Sequence, residues 1–411
     1  PCPHCHASLG KHNMDRAWVT KFDRAINQTI RQAKQVPVLI NYNVGRNRYE
    51  KKPDAADLAL IDKIENTDIS YWYPTKLMPE GFNTEQPKVS HGLTYIHHFY
   101  TKRSLITLAT AYKLVREKSN PLKSYLLFTI QQAVLGLAKI SRYVPTHYSQ
   151  VNQYLSGTLY VGSQVVEVSI GYILDGKINR LAQMLKNSRL FPKLSITETL
   201  STTQSSIPTS SVDYIFTDPP FGGNLMYSEL NFLWEAWLKV FTNNGPEAIE
   251  NQVQGKSLLE YQHLMTQCFQ EYYRVLKPGR WMTVEFHNSK NSVWNAIQEA
   301  LQHAGFVIAD VRTLDKQQGT FKQITSASAV KQDLIISSYK PNGGLENRFK
   351  LTAGTEEGAW DFIRTHLKQL PVFVTKDGRA EIIAERQNYL LFDRMVAFHV
   401  QRGVTVRSKS R

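Results

Sequence analysis

The sequence predicts an α/β fold with a largely parallel sheet in the C-terminal half of the chain. Three observations predict it. From about residue 196, short runs of apolar and β-branched residues alternate with stretches whose apolar residues recur at helical spacing. Turn residues punctuate the junctions, as at Leu276-Lys277-Pro278-Gly279 and at Gly305. Upstream, the chain reads as mostly helical, so a separate region precedes the sheet. A length of 411 residues accommodates two or three domains with sizeable cores.

Residues 1–75 are polar and basic and open with Pro1-Cys2-Pro3-His4-Cys5-His6. Paired cysteines two residues apart suit zinc, but a closed structural site needs four ligands. Cys2 and Cys5 are the candidate ligands, with His4, His6 and His12 in reserve, and a second CxxC is absent. Residues 76–195 form the helical region. Thr101–Glu117 and Leu122–Tyr143 are its expected helices, and Pro145 closes the second. His97 to Arg103 is polar and basic at the mouth of a helix. Spare backbone donors and two cations there suit a carboxylate or phosphate, or form a solvated cap.

Residues 196–341 carry the sheet. Expected strands are Val212–Thr217, Arg280–Phe286, Phe306–Arg312 and Asp333–Lys340, the last stopped by Pro341. Expected helices are Tyr227–Val240, Leu258–Val275 and Val293–Ala304. The final two strands are joined without a helix and should run antiparallel. Residues 342–411 read as a smaller helical and hairpin-like extension. It ends in a polar run with Arg407, Lys409 and Arg411, expected to be disordered or truncated.

The net charge is +14, which favours a polyanionic partner, most simply nucleic acid. The basic segments 31–52 and 99–123 are candidates for backbone contact, or plain solvated faces. Cys2, Cys5 and Cys268 make no disulfide framework, so a reducing cytoplasm is the default compartment. No signal peptide and no apolar run long enough to span a bilayer is evident.

Residues 211–221, SVDYIFTDPPF, carry most of the functional information. A short, buried strand delivers Asp218, two rigid carbonyls and the ring of Phe221 to one point. In open α/β sheets, ligands bind just outside the carboxyl ends of strands. An acceptor carboxylate, fixed carbonyls and a flat ring suit a planar substrate bearing an amino group. The alternative is a Pro-Pro turn with Asp218 as an ordinary turn residue.

Asp218-Pro219-Pro220-Phe221 is similar to the motif of S-adenosylmethionine-dependent amino-methyltransferases, whose aspartate form is commonest among adenine-specific DNA enzymes. Three further runs resemble the large prokaryotic DNA methylases that carry a zinc-ribbon insertion: the continuation to Leu238, YYRVLKPGRWMTVEFHNS and KQDLIISSYKP. PCPHCH resembles that insertion. The resemblance implies a Rossmann-like methyltransferase sheet, S-adenosylmethionine as cofactor and double-stranded DNA as partner. It implies that Asp218 and Pro219 hold the exocyclic amine of the target base, and that Phe221 stacks on the flipped base. Tyr227 adds a contact at that mouth, and Phe99, Thr101 and Arg103 lie near the cofactor. Self-marking in restriction-modification is the implied context.

The family's glycine-rich cofactor loop is absent; Gly222-Gly223 and Gly343-Gly344 follow the wrong strands. The expectation is therefore an N-terminally truncated chain, or a split enzyme whose other half is a separate subunit. Alternative acceptors are a cytosine amine, an RNA guanine amine or a protein glutamine amide. A zinc-ribbon nucleic-acid-binding module with a dead methyltransferase core is the reading from another class.

Overall fold

A computed structural model describes residues 4–8, 10, 14–188, 195–288, 290–315, 332–372, 374–376, 379–381 and 383–404. The chain forms two compact units, Pro1–Ser195 with Met226–Asn243, and Ile196–Leu225 with Asn244–Arg411.

In the first unit, two antiparallel hairpins precede the helices. They are β1 (Trp18–Asp23) with β2 (Gln28–Ala33), and β3 (Ile40–Val44) with β4 (Asn47–Lys51). A reading by apolar pattern misses them, because both hairpins are mostly exposed. The helices are α1 (Ala55–Glu65), α2 (Phe82–His91), α3 (Lys102–Arg116), α4 (Leu122–Val134), α5 (Ile170–Ser188) and α6 (Tyr227–Leu238). Phe99, Leu108, Ala133, Leu233 and Trp237 lie in the core that α3 to α6 share.

Local chemistry sets the helix ends. Thr101 caps α3, its hydroxyl accepting the Ser104 N–H at 3.2 Å. α2 begins at Gly81, which has no side chain to cap with. Buried Glu229 of α6 supplies the acceptor instead, taking the Asn83 N–H at 2.8 Å. A Cβ on Gly81 would lie 2.3 Å from the Glu229 Cδ, so only glycine leaves room. α4 ends at Val134 rather than at Tyr143 as the periodicity predicts. A Cβ on Gly136 would lie 2.8 Å from both the Asn152 Oδ1 and the Ile173 Cδ1, and the helix stops where that close approach begins.

The second unit holds the α/β layer. Its elements are β5 (Val212–Thr217), α7 (Leu258–Val275), β6 (Leu276–Phe286), α8 (Asn291–His303), β7 (Val307–Asp315) and β8 (Gln332–Tyr339). α9 (Gly343–Thr352), α10 (Glu356–Gln369), the short strands β9 (Val374–Lys376) and β10 (Arg379–Glu381), and α11 (Asn388–Val400) follow. The sheet order is β5-β6-β8-β7. β5 and β6 are parallel, and β8 runs antiparallel to both β6 and β7. The expected antiparallel pair is present, and β8 lies inside the sheet, between β6 and β7.

Leu276 to Gly279 is strand rather than turn. Between Val212 and Tyr214 the partner register on β6 jumps from Leu276 to Trp281, so Pro278 and Gly279 sit in a bulge. α7 and α8 cover the sheet through Tyr261, Phe269, Val293 and Ile297, which pack on Met282, Val284, Phe286 and Ile336. Tyr339, Phe349, Phe362 and Phe398 form a second core with the C-terminal helices.

β5 departs from the buried strand that its apolar sequence predicts. Among the described residues it pairs only with β6, and Tyr214 and Phe216 are 54% and 58% exposed. The sheet therefore opens, at the strand that leads into Asp218, onto an unpaired edge. No described helix is long and apolar enough to cross a membrane.

Candidate functional site

The chain leaves β5 at Thr217 and enters the loop Asp218 to Gly223 at the carboxyl end of the parallel strands. Asp218 is exposed, Pro219 buried, and Pro220 and Phe221 half-buried. Two residues far away in sequence fix this loop. The Tyr261 hydroxyl, from a ring wholly buried in the core, donates to the Pro220 carbonyl at 2.6 Å. The Asn288 Nδ2 donates to the Phe221 carbonyl at 2.9 Å, while its Oδ1 accepts the Lys290 N–H at 2.8 Å. The carbonyls of Pro220 and Phe221 are thus committed. Among the described residues the Pro219 carbonyl has no hydrogen-bond donor.

Gly222 follows with φ +61°, and a Cβ there would approach the Val293 Cγ1 to 3.1 Å. The turn needs a left-handed residue pressed against the start of α8, which glycine alone supplies without strain. Phe221 packs edge-on against Phe286 with centroids 5.4 Å apart. Its other neighbour is His287, 6.1 Å away. The His287 Nδ1 lies 2.7 Å from Oδ1 of Asp333, a carboxylate only 1% exposed at the start of β8. The contact is a short ion-pair approach rather than an in-line hydrogen bond.

Tyr227, at the first position of α6, is exposed and belongs to the first unit. In that unit Phe99 is wholly buried, so its ring is core. The Thr101 hydroxyl, besides capping α3, donates to the Glu167 Oε1 at 2.9 Å, and the Arg103 Nε lies 3.7 Å from the same oxygen. The anion facing this helix start is therefore a carboxylate of the chain itself.

His97 and His98, read from sequence as a polar helix mouth, are instead buried. Their Nε2 atoms lie 2.7 Å and 2.9 Å from one oxygen of Asp23 at the end of β1. These three residues form the one grouping of metal-holding composition among the described residues. The tautomer argues against a metal. The His98 Nδ1 accepts the N–H groups of Thr94 and Tyr95, both at 3.3 Å. Its Nε2 therefore carries the proton and donates to Asp23, whereas a metal would need that nitrogen bare. Burial holds the His98 pKa down to about 4, so the ring stays neutral at pH 7. The cluster clamps the first hairpin to residues 94–99.

Cys2 and His12 lie outside the described residues. Cys5, His4 and His6 are exposed, and no described group closes a zinc site around Cys5. The adenosyl cofactor meets a similar result. Gly222 and Gly223 are packed against Val293 and the Glu250 backbone, which leaves no cradle there for a nucleotide. The described residues present acceptors for an amine but do not make a fit for the cofactor by themselves.

Residues 212–370 match the N6/N4 DNA methylase family. Among solved structures, the chain is similar to a candidate DNA modification methylase of Thermus thermophilus. Identity is 17% over 34% of this chain and 48% of that one, with a TM-score of 0.21. The same protein complexed with S-adenosyl-L-methionine gives 16% identity over 34% and 51%, with a TM-score of 0.19. An S-adenosylmethionine-dependent methyltransferase of Methanosarcina mazei gives 12% identity over 40% and 77%, with a TM-score of 0.22. The chain thus spans about half the length of the Thermus structures. No curated protein sequence matches the chain.

Proposed function

We propose, for a chain whose segment 212–370 matches the DNA methylase family, that it holds the target amine of a DNA adenine methyltransferase. The observation that carries this reading is the division of labour among three successive carbonyls. Those of Pro220 and Phe221 are taken by Tyr261 and Asn288, and that of Pro219 stays uncommitted beside Asp218. An exocyclic amine has two N–H donors and needs two fixed acceptors. Asp218 and the Pro219 carbonyl provide them, and Phe221 offers a ring face to the base. The amine nitrogen is a poor nucleophile because its lone pair is spread into the ring. Two acceptors on its protons favour a tetrahedral nitrogen and aim the lone pair, which is catalysis by positioning and electrostatics. A stacked base hides its amine, so the base must leave the duplex first.

S-adenosylmethionine would supply the methyl group. Its site requires a half of the sheet that the described residues do not contain. The unpaired edge of β5, a strand whose Tyr214 and Phe216 are exposed, is where further strands would add. That half is either a preceding segment of the same protein or a separate subunit. Duplex DNA suits the +14 charge. In the first unit Arg46, Arg48 and Lys52 are exposed on and beside the β3–β4 hairpin, where they can meet phosphates, whereas Lys51 is paired with Asp54 and Asp57.

The test is Asp218→Ala in the reconstituted enzyme, assayed on duplexes whose only exocyclic target is adenine or cytosine. Transfer to adenine that falls by about 100-fold or more, with DNA binding retained, is the expected outcome. Full transfer by the variant would show that Asp218 does not hold the amine, DNA binding without transfer in the unaltered enzyme would leave a binding module as the surviving reading, and transfer to cytosine alone would reassign the base.

A further inference from the structure

Methylation of an amine leaves its nitrogen with one proton too many, and Asp218, exposed and engaged with the amine, is a poor place to keep it. The structure holds a better acceptor close by. His287 follows the last residue of β6, and Asp333 is the second residue of β8, the strand that pairs with it antiparallel. This pairing brings together two side chains that are far apart in sequence. Asp333 is 1% exposed and lies 2.7 Å from the His287 Nδ1. A carboxylate at that distance tolerates a protonated nitrogen and repels a lone pair, so Nδ1 carries the hydrogen and Nε2 keeps the lone pair. The Nδ1 atom is buried, while the His287 side chain as a whole is 17% exposed, so the open part of the ring lies away from Nδ1. Among the described residues, Asp333 is the one charged group within ion-pair distance of the ring. The ring is tilted against Phe221, with centroids 6.1 Å apart.

We propose that His287, oriented by Asp333, accepts the proton that the target amine releases. The inference rests on the amine-binding reading of Asp218 to Phe221. As the sulfonium donor gives its methyl to the nitrogen, the donor's C–S bond breaks with its electron pair on sulfur. One N–H bond of the resulting ammonium then breaks, its electron pair returning to nitrogen. The proton passes to the His287 Nε2, and the imidazolium discharges to solvent. Asp333 does not take the proton; it fixes the tautomer and stabilises the imidazolium.

Two measurements test this. The first uses the present chain alone: nitrogen-15 spectra of the imidazoles, assigned with His287→Gln. The expected neutral form of His287 is the Nδ1–H tautomer, shifting towards Nε2–H in Asp333→Asn; an Nε2–H tautomer in the unaltered chain would overturn the proposal. The second uses single-turnover transfer in the reconstituted enzyme. His287→Gln should lower the chemical rate about 100-fold with KM for DNA unchanged, remove the acid limb of the pH–rate profile, and regain rate with added imidazole. An unaltered rate and profile would sink the idea. Asp218→Ala is the control that separates the two readings, because it lowers transfer whether or not His287 takes the proton.

Discussion

Tyr261 does two jobs with one side chain. Its ring fills the core beneath the sheet, and its hydroxyl ties the Pro220 carbonyl at 2.6 Å. Tyr261→Phe keeps the ring and removes only that donor, at a cost of about 1 kcal/mol in stability. The larger effect should be on chemistry, because the freed Pro220 carbonyl becomes a second place for the amine to dock. A several-fold loss of turnover with an almost unchanged unfolding midpoint is the expected pair of results. Gly222 presents the opposite balance. An alanine there keeps every hydrogen bond but must hold φ near +61° with its Cβ 3.1 Å from the Val293 Cγ1. Gly222→Ala should cost about 1–3 kcal/mol, read by denaturant unfolding. A neutral substitution would mean that the turn relaxes without moving Phe221.

At the scale of elements, what was legible in the sequence is what is contiguous. The bounds of β5 and α7 match the sequence because short runs of neighbouring residues encode them, although β5 is more exposed than its apolar run suggests. Tyr261, Asn288 and the His287–Asp333 pair were missed, since each reaches the loop only through the sheet's pairing. His-Asn directly after a strand was the one available signal. The same limit explains β8, whose place between β6 and β7 depends on partners rather than on composition. A clamp of this long-range kind precedes β5. Glu271 and Arg274 of α7 pair with each other, and together they hold Ser205, Ile207 and Thr209. Chiefly the Arg274 guanidinium, with help from Ser205, holds the Glu271 carboxyl down at about 2. A depressed carboxyl contributes stability that is fully present above its ordinary value near 4.5 and is lost as pH falls towards 2. Amide exchange at Ser205, Ser210 and Ser211 should therefore stay slow down to about pH 3, where an ordinary glutamate would already have released. Glu271→Gln should speed it at neutral pH. Exchange that rises near pH 4.5 in the unaltered chain would show that the clamp does not hold these residues.

For the molecule as a whole, the question is which half of a reaction one chain can contain. Among the described residues the second unit ends its sheet at β5, and Tyr214 and Phe216 of that strand are exposed on one of its faces. Acceptors for an amine need only one loop, two tethers and a ring, and these are all on this side of that edge. A nucleotide cofactor needs backbone donors from a glycine loop, and the glycines next to Phe221 are already packed against protein. The two capacities should separate in a direct experiment. With S-adenosylmethionine at about a thousand times a micromolar dissociation constant, a complete site would stabilise the chain by roughly 4 kcal/mol and raise its melting temperature by several degrees. No shift is expected for the chain alone. A shift of that size would place a whole cofactor site within these 411 residues and make β5 a true edge rather than a seam. Adding the segment or subunit that pairs with β5 should produce the shift, and Phe216→Lys on the exposed strand should abolish it while leaving the chain's own melting temperature nearly unchanged.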